Sequence, residues 1–371
     1  MKKLFNILLI GVFLLPQVNT IYALNLLLFL FILKHRHEYF LYQKFTFLFF
    51  IITSLSFALA LLNPDIHYYL SNKDIFKPVL NVMIILLIGN YSRIEVNKKV
   101  LLFISVFLIL SQFAYIFGII DVTQLIDSIY PFNEEQIVWT HRSISDVNEL
   151  SIVNIRGGGI YRNPNQYSKY LNLLYVLVLN VRLKAHIKYL ISFAFLISIL
   201  LTGSRTGLII FILINLAQLT TKNNSRLLFI FIGIVVYAIS RSFTLRSFDI
   251  SSGFSSGSLI QRLPSLDYII QDLNVKSLFI GNFYNEDTIS NLLSNNFMFD
   301  SDLLSIFFSF GLMGLVILTI IYYKLLKFSK IKYIAPIFLY SITGGIVFDL
   351  NYFILINIIL LLAQFQSKHE N

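Results

Sequence analysis

Long uncharged apolar runs, broken by short basic clusters, constrain this chain more than any other feature. Segments 45–62, 100–120 and 303–323 carry Ile, Leu and Phe without a single charged residue. A water-soluble fold cannot hide runs of this length in such number. In hydrocarbon each backbone polar group must be satisfied internally, so a chain of this kind reads as membrane-spanning helices. Composition agrees: 57% of residues are hydrophobic and 13% charged, whereas soluble domains carry roughly 25% charged residues.

Twelve apolar segments are read as spans: 4–18, 21–33, 45–62, 75–91, 100–120, 166–181, 189–201, 206–219, 227–240, 303–323, 333–348 and 350–365. Several are shorter than the roughly 20 residues of a full crossing, and snorkelling flanks or local thinning accommodate these. The expectation is an all-α integral membrane protein forming one polytopic domain over residues 1–371. Residues 1–20 also resemble a signal peptide, with two lysines, an apolar stretch and Pro16. No small-residue cleavage site follows them, so a retained first span is the preferred reading. A hairpin turning at 16–20 is favoured, because a single helix over 4–33 would put every later loop on the side the charge rule forbids.

Charge sets the orientation. With the N-terminus inside, the inside connections collect 18 of the 29 basic residues against three acids, a balance of +15. The outside segments balance at −5. This is the positive-inside pattern. The net charge of +10 is therefore topology rather than a nucleic-acid surface, and both termini are expected in the cytoplasm. Two outside segments are long, 121–165 and 241–302, and long loops on a membrane scaffold are more often functional than idle.

Chemistry-bearing residues gather on the outside. The first loop ends Arg156-Gly157-Gly158-Gly159-Ile160-Tyr161-Arg162-Asn163-Pro164-Asn165. Pro164 is placed where a helix begins, with Asn163 as its cap, so a positive dipole end faces outward. Glycines that let backbone approach closely, with two flanking arginines, suit a phosphate. A hinge with a helix cap and solvated arginines is the bland alternative. Thr202-Gly203-Ser204-Arg205-Thr206-Gly207 joins two spans with almost no loop. Arg205 there is costly without a partner, unless it snorkels. Arg262 precedes an apolar strand or helix ending Leu278-Phe279-Ile280-Gly281, whereas Arg241 and Arg246 read as solvated.

The second loop closes on Asp300-Ser301-Asp302, followed by Gly311 and Gly314. Asp-x-Asp resembles the metal site of nucleotide-sugar glycosyltransferases, but it lies outside and nucleotide sugars are cytosolic. Helix capping or a general base remain as readings of these aspartates. The chain has no cysteine, no histidines at metal-ligand spacing, and no phosphate-loop or dinucleotide fingerprint. Acidic residues are almost absent from the spans, which disfavours a proton or cation relay.

These pieces, in order and on one side, resemble the O-antigen ligase/polymerase-like superfamily of bacterial polysaccharide assembly. The resemblance covers residues 156 to about 315 and rests on Arg156/Gly159/Asn163–Asn165, Gly203–Arg205, Arg262/Gly281 and Asp300/Gly311/Gly314. It implies a C-type glycosyltransferase fold in the bacterial inner membrane, with undecaprenyl-diphosphate-linked oligosaccharide as substrate and no metal or other cofactor. Arg156, Arg205 and Arg262 would hold the donor diphosphate, with Arg162 and Asn165 beside them in the substrate site. Asp300 or Asp302 would deprotonate the acceptor hydroxyl. Ligases of this superfamily place a histidine where this chain has Asp300, which favours the polymerase branch. A chain-length regulator, a flippase and membrane lipid are the partners so implied. A ligase remains the rival within the superfamily, and a lipid-linked sugar flippase or transporter the rival outside it.

Overall fold

A computed structural model describes residues 2–14, 97–117, 157–161, 164–181, 183–222, 275–281 and 310–317, with 51, 119, 128, 306–307, 319–320, 323, 336–337 and 339–340. Six helices organise them. These are α1 (Lys2–Leu14), α2 (Lys98–Ile116), α3 (Pro164–Asn180), α4 (Ala185–Leu201), α5 (Arg205–Lys222) and the short α6 (Val275–Ile280). A 3-10 turn, Gly159–Tyr161, leads into α3. The apolar segments expected at 4–18, 100–120, 166–181, 189–201 and 206–219 each coincide with one of α1 to α5 to within four residues at either end. The segment ending at Gly281, readable as strand or helix, is helical from Val275 to Ile280. Of the expected span 303–323, residues 306–307, 310–317, 319–320 and 323 are described, 310–317 as helix. Apart from 51, 336–337 and 339–340, the remaining spans, and most of the two long loops, lie outside the described residues.

Local chemistry explains the boundaries. Asn97 caps α2, its side chain accepting from the Lys99 amide at 3.0 Å, and the Asn97 amide donates to Asn6 Oδ1 at 3.2 Å. Pro164 opens α3 because its missing N–H is one of the helix's orphan donors anyway. Lys188 Nζ donates to the Leu179 carbonyl at 3.0 Å, placing a cation on the C-terminal end of α3. Between α4 and α5 the chain reverses in three residues. Gly203 takes φ +60°, open to glycine at little cost. Ser204 then caps α5, its Oγ accepting from the Gly207 amide at 3.2 Å.

Cross-helix hydrogen bonds fix the directions. Tyr175 pairs with Ser192 and Asn215, and Asn172 reaches the Gly207 carbonyl. Tyr167 reaches Leu108, and Gln112 reaches Ser198. Residue numbers rise together between α3 and α5 and run in opposition between α3 and α4. Helices α1, α2 and α4 therefore run one way, and α3 and α5 return. One end of the cluster gathers the 157–161 turn, the starts of α3 and α5 and the ends of α2 and α4; it is called the upper end below.

Helix α3 is central, buried at every position from Tyr167 to Leu179. Its aromatic side chains form two layers. Tyr161 lies against Tyr170, with ring centroids 4.5 Å apart, and Phe13 of α1 meets Tyr170 edge-on. Lower down, Tyr175 meets Phe195 and Phe211. The outer faces are apolar: Phe103, Val106 and Leu110 of α2, Phe117 at its C-terminal cap, and Tyr189, Leu190 and Phe193 of α4 are all exposed. Among the described residues α2 is the one helix long and apolar enough to cross a membrane, while α4 and the 206–218 part of α5 are apolar but shorter. Its length is about 28 Å at 1.5 Å per residue.

The α3–α5 crossing is close because Gly207 lacks a side chain. A Cβ there would lie 2.6 Å from both Cβ and Oγ of Ser168. Small residues that let helices approach in this way are typical of membrane packing. Gly207→Ala is expected to lower the apparent thermal midpoint in detergent, from an overpacking cost of about 1–3 kcal/mol. The double variant with Ser168→Gly should recover part of the loss; equal midpoints for all three proteins would disprove the contact.

Candidate functional site

Two stretches singled out from sequence meet at the upper end. The Gly157 amide donates to the Leu201 carbonyl at 2.9 Å. Gly157, which follows Arg156 in sequence, and Leu201, four residues before Arg205, are thus hydrogen-bonded neighbours, although 44 positions separate them. Gln112 of α2 holds the junction. It is fully buried, and its Nε2 donates to the Gly157 carbonyl at 2.9 Å and the Ser198 carbonyl at 3.0 Å. Its Oε1 accepts from Ser198 Oγ. All the hydrogens and the oxygen of this amide are therefore engaged within the protein.

The glycines are used differently from one another. Gly159 sits at φ +53°, a left-handed conformation that lets the backbone turn over α2 before α3 begins. A Cβ on Gly157 would meet Ile116 Cδ1 at 2.6 Å, so the loop lies directly on the end of α2. Gly158 is buried between them. Tyr161 then anchors the turn, its hydroxyl donating to the Phe13 carbonyl at 2.7 Å. The stretch is a packed, hydrogen-bonded corner. The sequence left open whether these glycines form a hinge or a backbone cradle; residues 157–161 are held by α1, α2 and α4.

A second pair of motifs also meets. Gly311 has φ +65°, and a Cβ there would overlap the Phe279 carbonyl group and the Ile280 amide nitrogen. The Phe-Ile-Gly stretch and the glycine of the following helix are in backbone contact that only glycine permits. Gly281 itself is buried at φ +82° and closes α6.

Of the candidate site residues, Asn165 is described in full: it lies in the first turn of α3, exposed, and its carbonyl accepts from Ser168 Oγ at 2.8 Å. Arg205 is the first residue of α5, described in its backbone alone. Arg156, Arg162, Arg262, Asp300 and Asp302 lie outside the described residues. Among the described residues no group of histidine and acidic side chains could hold a metal ion.

Structure adds polar residues that sequence reading passed over. Ser168, Asn172 and Tyr175 lie along α3 where it faces α5 and α4. Asn172 Nδ2 donates to the Gly207 carbonyl at 2.9 Å and to Tyr340 Oη at 2.6 Å. Tyr175 donates to Asn215 Oδ1 at 2.6 Å and lies 2.9 Å from Ser192 Oγ. Lys169, also on α3, is only 8% exposed. These were embedded in apolar runs, where a helical period of three and four was the signal that could have found them.

No family model, curated protein or solved structure matches this chain.

The Gln112 amide supports a direct expectation. Gln112→Leu removes the Nε2 donor to the buried Gly157 carbonyl and the acceptor of Ser198 Oγ, at about 1–3 kcal/mol for each unsatisfied group, while the Ser198 carbonyl keeps the Thr202 amide. The apparent thermal midpoint should fall well below that of Gln112→Asn, which keeps an amide with a shorter reach. A Gln112→Leu protein as stable as wild type would remove this junction's importance.

Proposed function

We propose that the protein is an oligosaccharide repeat-unit polymerase of the bacterial inner membrane. It moves a growing glycan from undecaprenyl diphosphate onto the next lipid-linked repeat unit, at the outer face. The observation that most supports this reading is the hydrogen bond from Gly157 to Leu201. It makes neighbours of two stretches that each end in an arginine the site requires. Backbone contact between Gly311 and Phe279–Ile280 makes neighbours of the Phe-Ile-Gly stretch and the first glycine after Asp300 in the resemblance.

The chemistry asks for these parts. A glycosyl diphosphate donor loses its diphosphate as the glycosidic bond breaks, and negative charge grows on the leaving oxygen. Arg156, Arg205 and Arg262 would hold that charge through charge-assisted, bidentate hydrogen bonds. The acceptor is a sugar hydroxyl, and its proton would pass to Asp300 or Asp302 as the new carbon–oxygen bond forms. Arg162 and Asn165 would orient the donor at the start of α3, whose dipole also favours an anion. No metal or other cofactor enters this scheme.

The arrangement of charge fits a membrane with this end outward. Helices α2 and α4 both start at the lower end, where Lys98, Lys99, Lys184 and His186 are exposed. The exposed apolar faces of α2 and α4 lie between those cations and the upper end, as lipid-facing surfaces would.

A lipid-linked sugar flippase is the reading from another class, and the polar seam of α3 is the observation in its favour, since a translocation path needs polar groups between helices. Most of that seam is hydrogen-bonded to itself, which suits helix association. The two readings separate in one assay. Purified protein in vesicles, given radiolabelled lipid-linked repeat units, is expected to produce a ladder of longer glycans without a membrane potential. Arg156→Ala, Arg205→Ala and Arg262→Ala should each leave single repeat units, with rates down by at least about a hundredfold, the usual scale for losing a charge-stabilising donor. A change of sidedness with no ladder would assign a flippase. Ladders persisting in all three variants at normal protein levels would remove these arginines from the site.

A further inference from the structure

Lys169 has no place in the reading developed so far. It lies on α3, one helical turn below the exposed Asn165, and is 8% exposed. Ionisable side chains inside an apolar helix cluster are costly, and even when paired they mark ligand pathways. No aspartate or glutamate occurs among the described residues, so the described part of the cluster is cationic. Lys169 is engaged within the chain in this structure, so an arriving ligand would exchange contacts with it rather than meet a bare charge.

A second observation comes from the same face of the helix. Asn165, Lys169 and Asn172 follow at intervals of four and three, so they form one stripe descending from the upper end. Asn172 is fully buried, yet its Oδ1 has no hydrogen-bond partner. The amide cannot simply be turned over, because Nδ2 faces the Gly207 carbonyl, which needs a donor. A buried acceptor left open costs stability and calls for a donor that the protein does not supply. A cation and an open acceptor are one turn apart, about 4.5 Å along the axis. They match a ligand carrying an anionic group next to a hydroxyl. A phosphorylated saccharide has that pattern.

We infer that Lys169 is a binding residue for the diphosphate of a polyprenyl-linked saccharide, held on the α3 stripe that runs from Asn165 down to Asn172. The inference rests on the polymerase reading for the choice of diphosphate over other anions. It adds to the arginines a cation anchored in the central helix rather than in a connection. Lys169 contributes charge and up to three hydrogen-bond donors, and Asn172 Oδ1 receives a hydroxyl of the same ligand.

Binding decides it, measured on the full chain in nanodiscs with a short polyprenyl diphosphate, the matching polyprenol, and inorganic pyrophosphate as competitor. Wild type is expected to prefer the diphosphate to the alcohol. Lys169→Met should weaken the diphosphate by at least about tenfold and leave the alcohol unchanged, while Lys169→Arg keeps most of the affinity. Pyrophosphate that displaces the lipid from wild type would show that a free anion suffices; failure to displace it would assign the site to a lipid-borne diphosphate. If Lys169→Met does not fold, amine acetylation of wild type replaces it, and the diphosphate should protect Lys169. Equal affinity of wild type for diphosphate and alcohol, unchanged affinity in Lys169→Met, or no protection would each overturn the assignment. A wild type that binds diphosphate but builds no ladder removes the polymerase reading and leaves the role of Lys169 standing. An unaltered ladder from Lys169→Met at low donor concentration, with unaltered affinity, does the reverse.

Discussion

One buried amide organises the upper end of this protein. Gln112 is the point where α2, the glycine-rich corner and the end of α4 share hydrogen bonds, alongside the direct bond from the Gly157 amide to the Leu201 carbonyl. In a low-dielectric interior an amide so fully engaged is rigid, because any displacement breaks several bonds at once and none can be replaced by water. The corner it holds carries the approach to α3. Precision in the placement of Gly157 therefore comes from α2, an element with no residue in the candidate site.

Two kinds of contact hold the rest. Above, glycines remove side chains where backbone must meet a neighbouring helix, at Gly157 and Gly207, and Gly311 does so against Phe279 and Ile280. Below, polar groups meet across the helices, as in the Tyr175, Asn215 and Ser192 cluster. In a lipid bilayer both would substitute for hydrophobic driving force, which is weak between helices when the solvent is as apolar as the side chains. Aromatic layers around Tyr170 and Tyr175 fill the space left between these contacts.

Much of the helical layout was legible in the sequence, and the reasons are physical. Uncharged runs broken by lysine pairs located α1 to α5, because backbone in an apolar setting must be helical. Pro164 marked a helix start through donor chemistry that depends on one residue, whereas the Ser204 cap was not read. What could not be read was pairing across distance. Nothing in the spacing of Gln112, Gly157 and Ser198 announces that they meet, since long-range hydrogen bonds leave no local period. Lys169 and Asn172 were hidden for a different reason: each is one polar residue inside a segment judged by its average. The arginine and aspartate set was read from motif order, and apart from Asn165 and the backbone of Arg205 it lies outside the described residues.

The tight reversal at Thr202–Ser204 has a consequence for biosynthesis. Three residues leave no slack between α4 and α5, so neither helix can adopt an orientation independently of the other. If the pair enters a bilayer, it does so as a single hairpin. The charge of Arg205 at its tip must then cross the hydrocarbon during insertion, drawn by the combined apolar surface of both arms. Lengthening the turn would uncouple the arms and give the translocation machinery a choice of sidedness that the native chain withholds.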